Sequence, residues 1–288
     1  MTAGRISMPR LGVDLGGTKI EVAVFDDIGN EVFRKRAPTP RAGYDVALEE
    51  FAALILEAEA QAGARCSVGI GMPGTISPRS GRVVNAYNTP FNGRRLKQDM
   101  ERKLDRELRF ANDANCFALS EADDGAARGA DVVFGAILGT GAGGGIVVGG
   151  RVLNGRHGIA GEWGHTPLPW IRREEHPGPM CNCGRNGCIE QFVSGPALAR
   201  ERSAHGDENG WAIYADRLAR AFSVIVNFLD PDVIVVGGGV SKERRIYASV
   251  PELLKNYVYT SDFSTPILAA SHGDASGVRG AAMLWPAA

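Results

Sequence analysis

The chain alternates short apolar runs of strand length with longer segments in which apolar residues recur at helical spacing. Strands are predicted at 10–15, 20–25, 30–36, 67–71, 107–111, 132–138, 146–148 and 232–236, and helices at 44–61, 96–104, 114–122, 211–229 and 276–284. In the helix 44–61 the apolar positions are Val46, Leu48, Phe51, Leu54 and Ile55, and we expect them in the core. Strands and helices in alternation favour an α/β fold.

Glycine, with 38 residues, is not distributed as in a flexible linker. It gathers in short loops directly after apolar runs, at 16–17, 139–145 and 237–239. Loops of this kind let the backbone approach a ligand closely, because no side chain stands in the way.

The first of these loops is Gly16-Gly17-Thr18-Lys19, between two predicted strands. Its glycines leave the backbone N–H groups and the Thr18 hydroxyl accessible to an anion. The spacing is not that of a Walker loop, and no helix follows as in a dinucleotide-binding fingerprint. Asp14 could hold a hydrated Mg²⁺, which takes few carboxylate ligands. A plain hairpin turn is the alternative for this loop alone.

A second strand–turn–strand unit follows about 120 residues later, with Gly139-Thr140-Gly141 in its turn. We interpret the repetition as two related lobes, each offering an anion-binding loop to one shared cleft. Gly237-Gly238-Gly239 follows another buried strand and suits an adenine or ribose lying over backbone, although a tight turn is equally compatible.

Asn112 and Asp113 lie where the strand 107–111 meets the helix 114–122. A carboxylate at such a junction faces the crevice in which open α/β sheets bind ligands. Either residue could instead simply cap the helix. The small residues at Met72-Pro73-Gly74, after another strand, would let a ligand lie against backbone.

Length and charge limit the classes of protein to which the chain can belong. The 288 residues have enough material for two lobes, and a net charge of -1 gives no general attraction to nucleic acid or to anionic lipid. No apolar run approaches the roughly 20 residues of a membrane span or forms a signal peptide at residues 1–10. We therefore expect a cytoplasmic protein with no membrane partner.

Three of the five cysteines, Cys181, Cys183 and Cys188, lie within eight residues. With His165 they make a complete four-ligand shell for a structural Zn²⁺, although Cys-x-Cys is tighter than the commoner zinc spacings and a single histidine is more often an ordinary loop residue. Cys66 and Cys116 are predicted to be buried apolar residues. A zinc ion that fixed the loop carrying these four ligands would also fix Glu162 and Glu190. These two acids could accept hydrogen bonds from sugar hydroxyls or be plain surface acids.

Six motifs occur in one order from residue 11 to the C-terminus: Asp14-x-Gly16-Gly17-Thr18-Lys19, Asn112-Asp113-Ala114-Asn115, Gly139-Thr140-Gly141, Glu162-x-Gly164-His165, Cys181-x-Cys183-Gly184-x-x-Gly187-Cys188-x-Glu190, and Gly237-Gly238-Gly239. Together they resemble the ROK sugar kinases of the hexokinase–actin-like superfamily. The resemblance implies two actin-like (ribonuclease H-like) α/β lobes with a ligand cleft between them, commonly assembled as a homodimer. We place the first lobe at 1–112 plus 272–288 and the second at 113–271, with a zinc-binding loop at 162–190.

The resemblance also implies a reaction, in which the γ-phosphate of ATP passes to a hexose hydroxyl. Asp113 would be the general base and Asn112 would orient the sugar, close to Gly74. Glu162, His165 and Glu190 would bind ring hydroxyls, His165 while also ligating zinc. Asp14 with Mg²⁺, and the loops 16–19, 139–141 and 237–239, would hold the nucleotide.

Within the family, Glu162-Trp163-Gly164-His165 and the C-terminal segment 272–282 look most like bacterial fructokinases that also accept mannose, with the 6-position as the acceptor. Similar N-acetylglucosamine kinases usually carry Phe where Trp163 stands. N-acetylglucosamine, N-acetylmannosamine or glucose kinase is the alternative. A sugar-responsive repressor is disfavoured, because the first strand begins at Arg10 and leaves no room for a helix-turn-helix domain.

Overall fold

The computed structural model describes residues 8–87 and 89–286. Residues 1–7 and 287–288, which the sequence assigns to the first lobe, lie outside the described residues. The strands are β1 (Arg10–Leu15), β2 (Lys19–Phe25), β3 (Glu31–Pro38), β4 (Ser67–Met72), β5 (Thr75–Ile76), β6 (Val83–Val84), β7 (Arg109–Asn112), β8 (Val132–Leu138), β9 (Ala142–Val148), β10 (Arg151–Val152), β11 (Val233–Gly237) and β12 (Ile267–Ala269). The helices are α1 (Tyr44–Ala62), α2 (Leu96–Leu104), α3 (Asp113–Asp123), α4 (Glu190–Val193), α5 (Gly195–His205), α6 (Asp207–Leu229), α7 (Arg245–Leu254) and α8 (Ser276–Met283).

Contacts divide the chain into two units. The first takes the described residues of Met1–Ser120, Asn154–Ala160 and Ala275–Ala288, and the second takes Glu121–Leu153 and Gly161–Asp274. The predicted boundaries at 112/113 and 271/272 therefore differ from those drawn by the contacts, because the first two turns of α3 pack with the first unit.

The first unit is built on a five-stranded sheet of order β3-β2-β1-β4-β7. The short glycine turn after β1 makes β2 antiparallel to it, and β3 continues the meander. The connection through α1 makes β4 parallel to β1, and β7 is parallel to β4. The carboxyl ends of β1, β4 and β7 therefore meet at one edge of the sheet.

The second unit repeats this plan with the order β10-β9-β8-β11-β12. Its strands β8, β9 and β10 form the antiparallel meander, and β11 and β12 run parallel to β8. The position of each strand matches one in the first sheet, with β8 and β9 standing for β1 and β2. This agreement bears out the interpretation of the repeated strand–turn–strand pattern as two related lobes.

Most of the predicted helical faces are buried, with Val46 as an exception, and one predicted helix begins earlier than expected. On α1, Phe51, Leu54 and Ile55 are buried and Leu48 packs against the core, but Val46 is 43% exposed, contrary to the prediction, because it lies on the outward side of the first turn. Helix α6 begins at Asp207 rather than at 211. Its polar first turn carries no apolar signal, although acidic residues there favour a helix N-terminus.

Strand β9 also starts earlier than predicted, at Ala142 rather than at residue 146. Its first residues are small and have little strand preference of their own. Pairing with β8 makes these residues a strand, since Gly143 lies opposite Ile137 and Gly144 opposite Ala136.

The C-terminal helix α8 packs directly on the first sheet at two glycines of β1 and β4. A Cβ atom on Gly12 would lie 1.9 Å from the Val278 carbonyl oxygen, and one on Gly69 would lie 1.8 Å from the Ala281 carbonyl oxygen. Only glycine permits so close an approach of helix to strand. No helix in the described part of the chain is both long and apolar enough to cross a membrane.

Candidate functional site

One group of predicted residues gathers at the carboxyl edge of the first sheet. Asp14 on β1 lies opposite Gly71 on β4, and Met72 at the end of β4 lies opposite Asn112 at the end of β7. Because neighbouring strands are about 4.8 Å apart, the sheet brings Asp14, Asn112 and the Gly74 turn to one edge. This is the edge at which open α/β sheets bind ligands.

Asn112 and Asp113 join this edge to the first turn of α3. The Ala114 N–H donates to Asn112 Oδ1 at 2.9 Å and to Asp113 Oδ1 at 2.8 Å, so both side chains do cap the helix. Asn112 Nδ2 also donates to the Gly74 carbonyl at 3.1 Å. Capping leaves acceptor capacity on the carboxylate, which has about four lone-pair positions. The cap therefore coexists with the predicted role as a base.

Asp14 lies on the face of β1 covered by α8, where a Cβ atom on Gly277 would be 3.2 Å from its Oδ2. Burial, and then the charge of Glu21 across the strand pair, raise the pKa of Asp14 above its ordinary value. Glu21 is itself paired with Arg34 and Arg36. A cation at Asp14 would offset the cost of holding this carboxylate ionised, so the residue suits a metal-linked role.

Two hydrogen bonds fix the turn between β1 and β2. The Gly16 N–H donates to the Lys19 carbonyl at 2.9 Å, and the Thr39 hydroxyl donates to the Gly16 carbonyl at 2.6 Å. Thr18 and Lys19 are exposed, whereas Gly16 and Gly17 are half-buried. The arrangement leaves a hydroxyl and an ammonium on the outer side of a rigid turn, as an anion-binding loop requires.

The corresponding turn of the second unit lines a pocket of about 660 Å³. Gly139, Thr140 and Gly239 are among the residues that line it. A Cβ atom on Gly238 would lie 2.4 Å from the Leu138 carbonyl oxygen, so the turn after β11 packs tightly on the end of β8. The structure therefore brings the predicted loops 139–141 and 237–239 into one place, at a volume typical of ligand pockets.

The sequence did not single out another part of the pocket lining, the start of α5. The Gly195 N–H donates to the Gly139 carbonyl at 2.7 Å, and Pro196 and Leu198 also line the pocket. A signal was present, since proline in the first turn of a helix marks a helix start. Nothing in the sequence pairs that start with the residue 139 turn.

His165, Cys181, Cys183 and Cys188 come together with all four ligand atoms within 4.8 Å of one another. His165 Nδ1 is 3.5 Å from Cys181 Sγ, and Cys183 Sγ is 3.5 Å from Cys188 Sγ. Donor atoms around a tetrahedral zinc lie about 3.3–3.8 Å apart, whereas bonded sulfurs would be about 2.05 Å apart. The cluster is compatible with a structural zinc and not with a disulfide.

The electrostatics of the thiols agree with a cation-binding cluster. Burial and the neighbouring thiols raise the pKa of Cys188 to about 12, whereas a backbone hydrogen bond from Arg185 lowers the pKa of Cys183. Several thiolates this close together are stable only beside a positive charge.

Glu190 connects this cluster with the glycine turn of the same unit. Its Oε2 accepts the Ala142 N–H at 3.1 Å, and its Oε1 lies 3.8 Å from Cys181 Sγ. Glu162 is exposed at the other end of the loop. The predicted sugar contacts thus fall into two groups, with Gly74, Asn112 and Asp113 in the first unit and Glu162, His165 and Glu190 in the second.

Trp163 is part of the core of the second unit. It is 3% exposed, stacks on Phe222 with ring centroids 5.4 Å apart, and donates its Nε1–H to the Gly143 carbonyl at 2.8 Å. Its indole N–H is therefore used inside the protein.

Two α/β units of one strand order, each with a glycine hairpin, define the two-lobe fold of hexokinase-type sugar kinases. Solved structures agree with this class. The ROK hexokinase from Thermus thermophilus is 31% identical, with 96% of this chain and 97% of that chain covered, at a TM-score of 0.84. A ROK family glucokinase from Streptomyces griseus, in complex with glucose and AMPPNP, is 28% identical over 96% and 98% of the two chains, at a TM-score of 0.76.

The ROK family model matches residues 10–288, and the chain belongs to the ROK family. The N-acetyl-D-glucosamine kinase of Pectobacterium atrosepticum is 42% identical over 296 residues, covering 95% of this chain and 97% of the relative. That of Escherichia coli strain HS is 39% identical over the same length. These relatives support the resemblance to ROK sugar kinases, but the particular similarity to fructokinases stays unconfirmed.

Proposed function

We propose that the chain is an ATP-dependent hexose kinase that transfers the γ-phosphate of ATP to a sugar hydroxyl, with N-acetylglucosamine as its preferred acceptor. The observation that carries the chemistry is the position of Asp113, at the carboxyl end of β7 and the N-terminal end of α3. The acceptor follows from the N-acetyl-D-glucosamine kinases that resemble this chain at 38–42% identity.

In this proposal Asp113 is the general base. A sugar hydroxyl is a poor nucleophile, and a carboxylate that accepts its proton during attack lowers the barrier. The N-terminal end of α3 favours a negative charge at Asp113 and so favours its basic form. Asn112, fixed by its bond to the Gly74 carbonyl, orients the sugar beside it.

The two glycine turns, 16–19 and 139–141, hold the phosphates, and the loop 237–239 holds the nucleoside. Asp14 would hold Mg²⁺, which when bound neutralises charge on the transferring phosphoryl group. Positioning and electrostatics supply most of the catalysis in this reaction.

Glu162, His165 and Glu190 bind ring hydroxyls of the sugar. His165 faces Cys181 with its Nδ1 atom, so its Nε2 is the nitrogen available to a sugar while the residue also ligates zinc. The metal is structural, because four protein ligands complete a tetrahedral shell. Its role is to keep Glu190 and His165 in fixed positions.

The choice of acceptor rests on the similar N-acetyl-D-glucosamine kinases. They outweigh the sequence argument for fructose. That argument uses Trp163 as a family marker within the segment 162–170, and its indole binds Gly143 and stacks on Phe222 in the core. Phosphorylation of fructose or mannose at the 6-position remains the second candidate, supported by the 162–170 and 272–282 segments. We place the acceptor hydroxyl of N-acetylglucosamine at the 6-position as well.

A coupled ADP-release assay tests the proposal. The chain with ATP and Mg²⁺ is assayed on N-acetylglucosamine, N-acetylmannosamine, glucose, fructose and mannose, and kcat/KM is compared. We expect the highest value on N-acetylglucosamine. A higher value on fructose would favour fructose as the acceptor. The absence of sugar-dependent ADP release with all five sugars would refute the kinase function.

A further inference from the structure

The glycine turn 139–141 is held at both ends by one short stretch of the chain. At its beginning, the Gly139 carbonyl accepts the Gly195 N–H at 2.7 Å. At its end, the Ala142 N–H donates to Glu190 Oε2 at 3.1 Å. Glu190 and Gly195 are only five positions apart in the chain. A single segment, 190–195, therefore holds the turn, with a backbone bond on one side and a side-chain bond on the other.

The backbone of the segment 190–195 is fixed. The Ser194 N–H donates to the Glu190 carbonyl at 3.2 Å and closes the single turn of α4. Val193 is fully buried, and its carbonyl accepts the Tyr214 hydroxyl of α6 at 2.6 Å. The conformational freedom that remains at Glu190 is therefore the rotation of its side chain, since a glutamate has several rotamers to lose.

The Glu190 carboxylate lies directly against the turn. A Cβ atom on Gly141 would lie 2.4 Å from Glu190 Oε2, so any side chain at position 141 would have to displace the carboxylate. The other oxygen, Oε1, lies 3.8 Å from Cys181 Sγ. A carboxylate has about four lone-pair positions, so this one can accept the Ala142 N–H and a sugar hydroxyl at the same time.

We propose that Glu190 is a positioning residue for the turn 139–141, through which a bound sugar raises the affinity of the turn for the nucleotide. This role rests on the proposed function, since it takes Glu190 as a sugar contact and the turn as a phosphate-binding loop.

The coupling has a physical cause. A sugar hydroxyl that donates to Glu190 restricts the carboxylate to one rotamer, and the bond from the Ala142 N–H then restricts the end of the turn. A nucleotide that binds afterwards loses less conformational entropy, because the turn is already ordered. By linkage, a bound nucleotide raises the affinity for the sugar by the same factor.

The test is calorimetric titration with ADP and Mg²⁺, without sugar and with saturating N-acetylglucosamine. ADP is used because it has no γ-phosphate to transfer. The coupling is the ratio of the two Kd values, and the unaltered protein should bind ADP at least about fivefold tighter with the sugar bound. Glu190→Ala should bring this ratio close to one. Glu190→Gln should keep most of it, because an amide oxygen can still accept the Ala142 N–H.

The matched control is Glu162→Ala, which removes the other acidic sugar contact of the same unit. Glu162 is exposed, and among residues 8–87 and 89–286 its carboxylate has no hydrogen bond to the turn. Glu162→Ala should weaken sugar binding as Glu190→Ala does, but it should keep the ratio of the unaltered protein.

Gly141→Ala tests the same contact from the side of the turn. Its methyl would displace the Glu190 carboxylate, so the sugar should bind about tenfold more weakly even without nucleotide, as expected for losing one hydrogen bond to a charged group. Gly139→Ala is the comparison in the same turn. Its Cβ atom meets open space and should leave the sugar affinity unchanged.

The outcomes separate this role from the proposed function. An unaltered protein that fails to bind ADP or the sugar refutes the proposed function. Where both bind, a ratio near one in the unaltered protein, or an undiminished ratio in Glu190→Ala, overturns the positioning role of Glu190 alone. An equal loss of the ratio in Glu162→Ala, or an unchanged sugar affinity in Gly141→Ala, overturns it as well.

Discussion

Asp113 shows how one carboxylate can serve both the fold and the reaction. Its Oδ1 atom accepts the Ala114 N–H, so a substitution there affects the start of α3 as well as any chemistry. Loss of a cap costs about 1 kcal/mol. Loss of a general base costs about 10²–10⁴ in rate. The two roles are therefore separable by measuring binding, stability and turnover on the same variant.

We predict that Asp113→Ala keeps sugar binding but loses nearly all turnover, by a factor of at least about 10² in kcat. Calorimetric sugar titration and steady-state kinetics measure the two quantities. Asp123→Asn, an exposed acid at the other end of α3, is the control and should be fully active. A near-normal kcat in Asp113→Ala would remove this residue from the base role.

At the scale of elements, the loop 162–190 has two attachments that make separate predictions. One is internal, the cluster of His165 with three cysteines, which ties residue 165 to residues 181–188. The other is Glu175, whose carboxylate binds Arg217 and Arg220 of α6, while Arg220 also donates to the Trp170 carbonyl at 3.0 Å. The two attachments can be tested separately.

We predict that Cys183→Ser lowers both the zinc content and the thermal stability, because an incomplete shell holds the metal weakly. Elemental analysis should find one zinc per chain in the unaltered protein. Cys66→Ser, a buried thiol outside the cluster, should lower the Tm without loss of metal. No zinc in the unaltered protein would rule out the metal site.

The second attachment carries a dependence on pH. Hydrogen bonds from Arg220, from the Arg172 backbone and from Arg217 outweigh the cost of burial and lower the pKa of Glu175 from 4.5 to about 2. A carboxyl whose pKa is depressed by folding stabilises the folded state above its unfolded pKa. That stabilisation is lost as the pH falls from about 4.5 to about 2.

Glu175→Gln should therefore lower stability most near neutral pH, by about 3 kcal/mol, because it leaves the 1%-exposed Arg220 with Asp216 as its remaining charge partner. The difference in Tm from the unaltered protein should narrow as the pH falls below about 4.5. Glu174→Gln, its exposed neighbour, should change little at any pH. A difference that is constant across pH would contradict the ionic role.

At the scale of the whole molecule, each unit is assembled from distant parts of the chain. Helix α8, which packs on the first sheet, follows the entire second unit in sequence. Its approach to β1 and β4 depends on Gly12 and Gly69. The homodimer expected from the resemblance stays a prediction.

Gly12→Ala should destabilise the first unit by more than about 3 kcal/mol, because the new methyl would lie 1.9 Å from the Val278 carbonyl oxygen and overpack the interface. Thermal unfolding followed by tryptophan fluorescence, including Trp285 at the end of α8, measures the effect. Gly63→Ala is the comparison, since it meets open space at a φ of 67° and should cost only about 1–2 kcal/mol. Equal losses in the two variants would show that the close approach does not matter.

The sequence by itself determined most elements, the repeated strand–turn–strand pattern and the identity of the cysteine–histidine cluster. These features depend on periodicity and on chemistry within short stretches, such as the apolar run 132–138 or the three cysteines in eight residues. It failed where an element has no local signal. The glycine-rich start of β9 becomes a strand only through its ladder with β8, and the polar first turn of α6 has no apolar face.

Only the tertiary structure decided which distant residues share a place. Gly195 meets the Gly139 turn, and Glu190 joins that turn to the cysteine cluster. Trp163, on which the sequence-based prediction of the sugar partly depended, lies in the core. Local pattern cannot reveal such pairings, because they are set by strand order and by close packing between segments that are far apart in the chain.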